Sequence, residues 1–258
     1  MRIVFLSFCL LLFSCGNQNR INIYSVQDDI SLGKQMSEEI RQNPQMKIWK
    51  RNEHPKAYAI IDTVINEIFK SNSLTYKEEF DWNIFIIEDP NTQNAFALPG
   101  GFIFVYTGLI HGMNSMDELA AVLAHEVAHI DARHATHALT RDYGVSVLLN
   151  LLLGQDNAQV SSVLTSMLSL KYSRDNELEA DKKAVDYLCN SKFNPFAIAD
   201  YFANDKQDSL AFSIPEFIST HPNSQERIAQ INTLKNQTQC NSNSRHSIAF
   251  DRIKSYFH

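Results

Sequence analysis

The 258-residue chain is 44% hydrophobic and 20% charged, with a net charge of −6. It is long enough to bury a full core as one globular domain, and it lacks the basic excess that would draw nucleic acid. No internal repeat divides it.

The chain opens Met1-Arg2, continues through an apolar run from Ile3 to Phe13 and reaches Leu12-Phe13-Ser14-Cys15-Gly16. That is the pattern of a secretory signal with a lipobox-like ending. Its roughly eleven apolar residues fall well short of the about 20 that a membrane-spanning helix needs. The stretch resembles the leader of bacterial lipoproteins, which implies a signal peptide at 1–15, a lipidated Cys15 and a polar tether at 16–24. The alternative is an ordinary signal, cleaved near Cys15 to release a secreted protein. Cys9 leaves with the leader, so Cys189 and Cys240 remain. In an oxidising envelope they can pair and tie the polar tail at 236–258 to a helix ending near Cys189; two unpaired thiols are the alternative.

Apolar spacing predicts a helix from Ser25 to Gln42, carried by Val26, Ile30, Met36 and Ile40, and a second from Pro55 to Lys70, carried by Tyr58, Ile61, Ile65, Ile68 and Phe69. Trp82 to Ile87 has the aromatic and β-branched content of a strand, and Asp89-Pro90-Asn91 closes it. Asn94 to Leu98 and Phe102 to Thr107 flank Pro99-Gly100-Gly101, a hairpin by pattern. Ser115-Met116-Asp117-Glu118 is then a capping box, opening a helix with Leu119, Val122, Leu123, Val127 and Ile130 as its apolar positions.

Inside that helix lies His125-Glu126-Val127-Ala128-His129. Residues four apart sit about 40° apart around a helix, one turn above the other, so the two imidazoles can share one metal ion. Glu126 follows the first of them, where a carboxylate can hydrogen-bond water held at the metal and take its proton. The implied chemistry is hydrolysis, and two solvated or core histidines are the plain alternative. His134 and His137, on a straight continuation of this helix, are rotated roughly 180° and 120° from His125 and do not face the same ion. Arg133 is placed to hydrogen-bond nearby carboxylates. The stretch from Val145 to Leu170 is rich in Leu, Val, Ser and Met and is interrupted by Gly154-Gln155-Asp156-Asn157. It is expected to form a pair of buried helices covering the site helix, with an apolar wall or lid as the alternative.

A catalytic zinc takes three protein ligands and keeps one position open. Ala132 and Ala135 occupy the positions where a metzincin has Gly and His, and Leu148 to Leu153 contains no carboxylate where a thermolysin-like enzyme has Glu. The next acidic cluster is Asp175-Asn176-Glu177-Leu178-Glu179-Ala180-Asp181. Glu177 and Asp181 share a helix face and Glu179 points elsewhere. One of the pair can bind metal while the other orients a ligating imidazole; a solvated acidic face is the alternative.

His-Glu-Val-Ala-His, followed about fifty residues later by Tyr172-Ser173-Arg174-Asp175-Asn176-Glu177-Leu178-Glu179-Ala180-Asp181, resembles peptidase family M48. That family includes the CAAX prenyl protease, the HtpX heat-shock protease and periplasmic outer-membrane assembly proteases such as BepA. Asn94-Ala95-Phe96-Ala97-Leu98-Pro99-Gly100-Gly101, Thr220-His221-Pro222 and Arg227 also match. The resemblance implies an α+β, mostly α, gluzincin-like metalloprotease fold with a small sheet beside the site helix, its peptidase domain at 25–235. By the same resemblance His125, His129 and Glu177 hold one Zn2+, Glu126 is the catalytic acid/base and Asp181 supports the ligands. His221 and Arg227 lie near the metal as further catalytic residues, with His221, joined by Arg227, stabilising the oxyanion, or His221 instead reaching the zinc and blocking it. Asn94, Ala95, Phe96 and Ala97 become an exposed edge strand to which a peptide can add. The expected function is a zinc endopeptidase acting on unfolded or misassembled envelope proteins. It is expected in the periplasm, anchored to the outer membrane as a lipoprotein. The alternative is a chaperone-like assembly factor that seldom cuts.

Overall fold

Strict alternation along three short strands decides how the core is divided. The computed structural model describes residues 22–143, 157–208, 216–222, 224–240 and 250–258. The predicted leader with Cys15, most of the tether, the first half of the apolar stretch and Pro215 lie outside them. β1 (Asn83–Ile87), β2 (Ala95–Leu98) and β3 (Phe102–Tyr106) form a sheet of order β1-β3-β2. β1 runs parallel to β3, with Ile84 opposite Ile103, and β2 runs antiparallel to it, with Phe96 opposite Phe104. Successive side chains leave opposite faces. Ile84, Ile86, Ala95, Ala97, Ile103 and Val105 therefore enter one hydrophobic cluster, while Phe85, Ile87, Phe96, Leu98, Phe102 and Phe104 enter the other. On the second face Phe104 stacks between Phe85 and Phe96, with ring centroids 5.0 and 4.9 Å away.

Helices cover both faces. α1 (Val26–Gln42) starts at the predicted Ser25, whose hydroxyl and the Asp28 carboxylate cap each other's backbone N–H groups. It lies directly on the β2–β3 turn, and a Cβ on Gly33 would sit 1.8 Å from the carbonyl oxygen of Pro99. Gly100 in that turn has φ +74°, a left-handed conformation that side chains disfavour. α2 (Pro55–Ile68) and the short α3 (Thr107–Gly112) pack in the first cluster.

α4 (Met116–Asp131) is buried at all sixteen positions, the pattern of a helix enclosed on every side. The Ser115 hydroxyl accepts from the N–H of Glu118 at 3.1 Å, and the Glu118 carboxylate reaches one residue past the cap to accept from the N–H of Asn114 at 2.8 Å. Its C-terminal Asp131 accepts the N–H groups of Thr75 and Tyr76, the Lys183 ammonium and the Tyr187 hydroxyl, all within 2.9 Å. That one carboxylate fastens the loop after α2 to the end of the site helix.

The predicted continuous helix through His137 is corrected. The chain turns at Arg133, which has φ +55°, and α5 (His134–Asp142) starts in a new direction. A non-glycine residue in this conformation needs support from its surroundings. Arg133 has it: its guanidinium donates to Asp29 of α1 at 2.6 and 2.9 Å, to the Tyr24 carbonyl at 2.7 Å and to the Ser25 carbonyl at 2.9 Å. α6 (Asn157–Leu168) also departs from expectation, because Val160, Val163, Leu164 and Met167 pack in the second cluster with α1 rather than over α4.

α7 (Arg174–Leu188), capped by Ser173, packs along α4. α8 (Ala197–Asp208), α9 (Glu216–Thr220), α10 (Ser224–Gln237), α11 (Phe250–Lys254) and a closing 3-10 turn complete the described elements. Cys189, at the end of α7, is joined to Cys240 across a separation of 51 residues, with Cα atoms 4.7 Å apart. The closed loop contains α8, α9 and α10. Constraining a loop of this length stabilises a fold by typically about 2–4 kcal/mol. Denaturant unfolding of Cys189→Ser, or of the reduced protein, is therefore expected to show a loss of that size against the oxidised protein.

Candidate metal centre

α4 brings His125 and His129 to one face, α7 adds Glu177, and the residue after α9 adds His221; all four are buried. Their ligand atoms lie within 4.8 Å of one another. His125 Nε2 is 3.0 Å from His129 Nε2, 3.3 Å from His221 Nδ1 and 3.4 Å from Glu177 Oε2. Glu177 Oε1 is 3.2 Å from His221 Nδ1 and 3.7 Å from His129 Nε2. A tetrahedral divalent ion with bonds of about 2.0–2.1 Å sets its ligand atoms about 3.3 Å apart, so these residues fit such an ion.

Charge points the same way. Glu126, Glu177 and Asp181 are all buried, and among the described residues Arg227 is the one guanidinium bound to them, through Glu177 and Asp181. Carboxylates taken out of water need counter-charge, which a divalent cation supplies. Burial alone would push the Glu177 carboxyl up, but His221, His125 and Arg227 hold it well below the usual carboxylate range. Asp181 is lowered too, as Arg227 and His125 outweigh its burial. Burial, helped by His125, pulls His129 well below the ordinary histidine value, leaving a neutral imidazole able to ligate. Burial and Arg227 both depress His125, yet its bonds to Asp181 and Glu177 prevail and raise it to about 9. Metal uptake must then displace a proton from this ring.

The surroundings hold the donors in place. His125 Nδ1 donates to Asp181 Oδ1 at 3.0 Å. Arg227 grips Asp181 through Nε and Nη2, both at 2.7 Å, and also reaches Glu177 at 2.8 Å and the carbonyl of His221 at 3.1 Å. This departs from the expected oxyanion role for Arg227. Its guanidinium is wholly buried behind the donors and lies over the ring of Phe202 at 4.4 Å, so it positions carboxylates rather than facing substrate.

Glu126 is 1% exposed. Its Oε1 accepts no hydrogen bond from the described residues and lies 3.5 Å from His221 Nε2. Burial raises its pKa against the opposing pull of His221 and His125, the direction that suits a group exchanging protons near neutrality. β2 pairs only with β3 among the described strands, leaving its outer edge without a strand partner. Along it Ala95 is buried, Phe96 and Ala97 are half-buried, and the buried Asn94 Oδ1 accepts no hydrogen bond from the described residues.

Three neighbours were not legible as site residues. Tyr172 is half-buried and stacks on His129 with ring centroids 4.1 Å apart, Phe217 stacks on His221 at 4.6 Å, and His134 lies 2.9 Å from His129. Tyr172 stands just before the α7 cap in the motif, which was the one available signal. His134 had none, since a straight helix turns it away.

Residues 55–235 match Peptidase family M48. Among curated proteins the chain is 37% identical over 157 residues to the mitochondrial metalloendopeptidase OMA1 of Schizosaccharomyces pombe, covering 59% of this chain and 46% of that one. It is 30% identical over 198 residues to OMA1 of Saccharomyces cerevisiae, covering 71% and 57%. It is 29% identical over 168 residues to the beta-barrel assembly-enhancing protease of Escherichia coli, covering 59% and 34%. The chain thus spans between about a third and somewhat more than half the length of these relatives.

Proposed function

Because the chain belongs to peptidase family M48, we propose that it is a zinc-dependent endopeptidase that hydrolyses unfolded or misassembled proteins of the cell envelope. The observation that carries this reading is the convergence of His125, His129 and Glu177 donors beside the buried Glu126 carboxylate, whose Oε1 accepts no hydrogen bond from the described residues. His125, His129 and Glu177 would hold the ion, and nitrogen and oxygen donors in this ratio suit zinc. When bound, zinc lowers the pKa of water beside it and polarises a peptide carbonyl.

The remaining work falls to the chain itself. Glu126 takes the proton of the attacking water and hands it to the leaving nitrogen, because it is the carboxylate at the cluster with no guanidinium or hydrogen-bond partner on Oε1. Asp181 fixes the ring of His125, and Arg227 fixes Asp181 and Glu177. His221 Nδ1 stands among the donors, 3.3 Å from His125 Nε2 and 3.2 Å from Glu177 Oε1, and would be a further nitrogen available to the ion. That supports His221 as a lock on the site, which swings aside before catalysis. A peptide adding along the outer edge of Asn94, Ala95, Phe96 and Ala97 would be bound through main-chain bonds, giving broad specificity.

The predicted leader at 1–15 with its Cys15 supports a lipoprotein, and similarity to a protein named for β-barrel assembly supports envelope proteins as the substrates. Among the described residues no helix is long and apolar enough to cross a membrane.

The purified protein is expected to carry one zinc per chain by elemental analysis. Incubated with envelope proteins, it should generate new N-termini that are absent with Glu126→Gln or after chelation. Identical N-termini in all samples would refute proteolysis and favour a factor that holds unfolded proteins without cutting.

A further inference from the structure

The two helix-borne imidazoles of the metal centre are oriented by different devices. His125 turns its Nδ1 to Asp181, a buried carboxylate, in one step. His129 turns its Nδ1 to a second histidine: His134 Nδ1 lies 2.9 Å away, and His134 is completely buried. The other nitrogen of His134, Nε2, lies 3.5 Å from Glu179 Oε2, on a side chain 42% exposed. One helix, α7, therefore sends Glu177 to the donors and Glu179 to the far nitrogen of His134.

A single arrangement of protons satisfies this chain. His129 presents Nε2 to the donor cluster, so a neutral ring carries its proton on Nδ1 and donates it toward His134. His134 must accept through Nδ1, which places its own proton on Nε2, facing the Glu179 carboxylate. Glu179 as acceptor fixes the tautomer of His134, and His134 fixes the tautomer and rotation of His129. Tyr172, stacked face-on at 25°, limits tilting of the His129 ring but leaves its in-plane orientation to the hydrogen bond.

We infer that His134 is a positioning residue for His129 and that Glu179 completes the relay, a carboxylate–histidine–histidine sequence extending outward from the metal centre. The inference rests on the proposed zinc reading of His129. It makes His134 neither a ligand nor a group that touches substrate. The sequence alone turned both residues away from the site, and only the break at Arg133 brings His134 behind His129.

The test is zinc affinity, measured by competition with a chromogenic chelator on the purified chain. Loss of a partner behind a ligating histidine costs about 10–100-fold in metal affinity, so His134→Leu is expected to fall by that factor. His134→Asn keeps an acceptor near the position of Nδ1 and is expected to recover most of the loss, which a merely space-filling role would not produce. Glu179→Ala, at a half-exposed position that does not endanger folding, should weaken zinc by less than His134→Leu. Wild-type affinity in both His134→Leu and Glu179→Ala would overturn the proposal, as would equal losses in His134→Leu and His134→Asn. Should His134→Leu fail to fold, wild-type affinity in Glu179→Ala overturns the relay. A wild-type chain that binds no zinc would overturn both the relay and the metal reading beneath it.

Discussion

Glu126→Gln will keep its zinc and lose nearly all peptide hydrolysis, with turnover falling on the order of 10²–10⁴-fold, the usual contribution of a positioned acid–base group. The substitution preserves shape and leaves His125, His129 and Glu177 untouched, so the metal has no reason to leave. What disappears is the ability to carry a proton. The wild-type carboxyl is suited to that task because burial raises its pKa while its Oε1 stays unbonded at 3.5 Å from His221. Metal content and single-turnover cleavage of one peptide, measured on the same preparations, separate the two effects. A zinc-loaded variant that cuts at the wild-type rate would transfer the proton-carrying role to another group, with His221 the nearest.

Arg227→Met will destabilise the metal-free protein by about 3–5 kcal/mol, the cost of leaving a buried partner's charge uncompensated. Arg227 is 0% exposed and binds two carboxylates that are equally buried. Met fills much of the space over Phe202 but offers neither charge nor donors. A bound divalent ion brings positive charge to the same carboxylates, so the penalty should shrink when zinc is present. Denaturant unfolding with and without zinc is then expected to show a larger zinc-dependent stabilisation in the variant than in the wild type. Arg227→Lys will be only a partial remedy, since an ammonium cannot reproduce the paired bonds to Asp181. Equal metal-free stability of Arg227→Met and the wild type would show that the guanidinium is dispensable to the fold.

Local patterns carried much of the architecture. Ser25 and Ser115 announced helix starts because a hydroxyl cap acts over three residues, and the structure begins helices directly after both. The Pro99-Gly100-Gly101 turn announced the hairpin because its conformation is available mainly to glycine. The parallel pairing of β1 with β3 was not legible, since no local signal selects a partner strand. Nor was the packing of α6 against α1, because an apolar stripe shows that a helix is buried and not what buries it.

For the site, the sequence by itself determined the spacing of His125, Glu126 and His129 on one helix face, because helical geometry is fixed by the backbone. Glu177 and Asp181 likewise shared a face by spacing alone, and the family resemblance assigned them to one centre with His125 and His129. Tertiary structure decided everything that depends on a long-range bond. Arg227 is sealed behind the ligands because α10 lies against α7, where Asp181 and Glu177 meet its guanidinium. His134 stands behind His129 because Arg133 adopts a left-handed conformation, and Asp29, more than a hundred residues earlier in the chain, holds it there. Nothing in Asp131-Ala132-Arg133 encodes that turn locally; its support comes from α1.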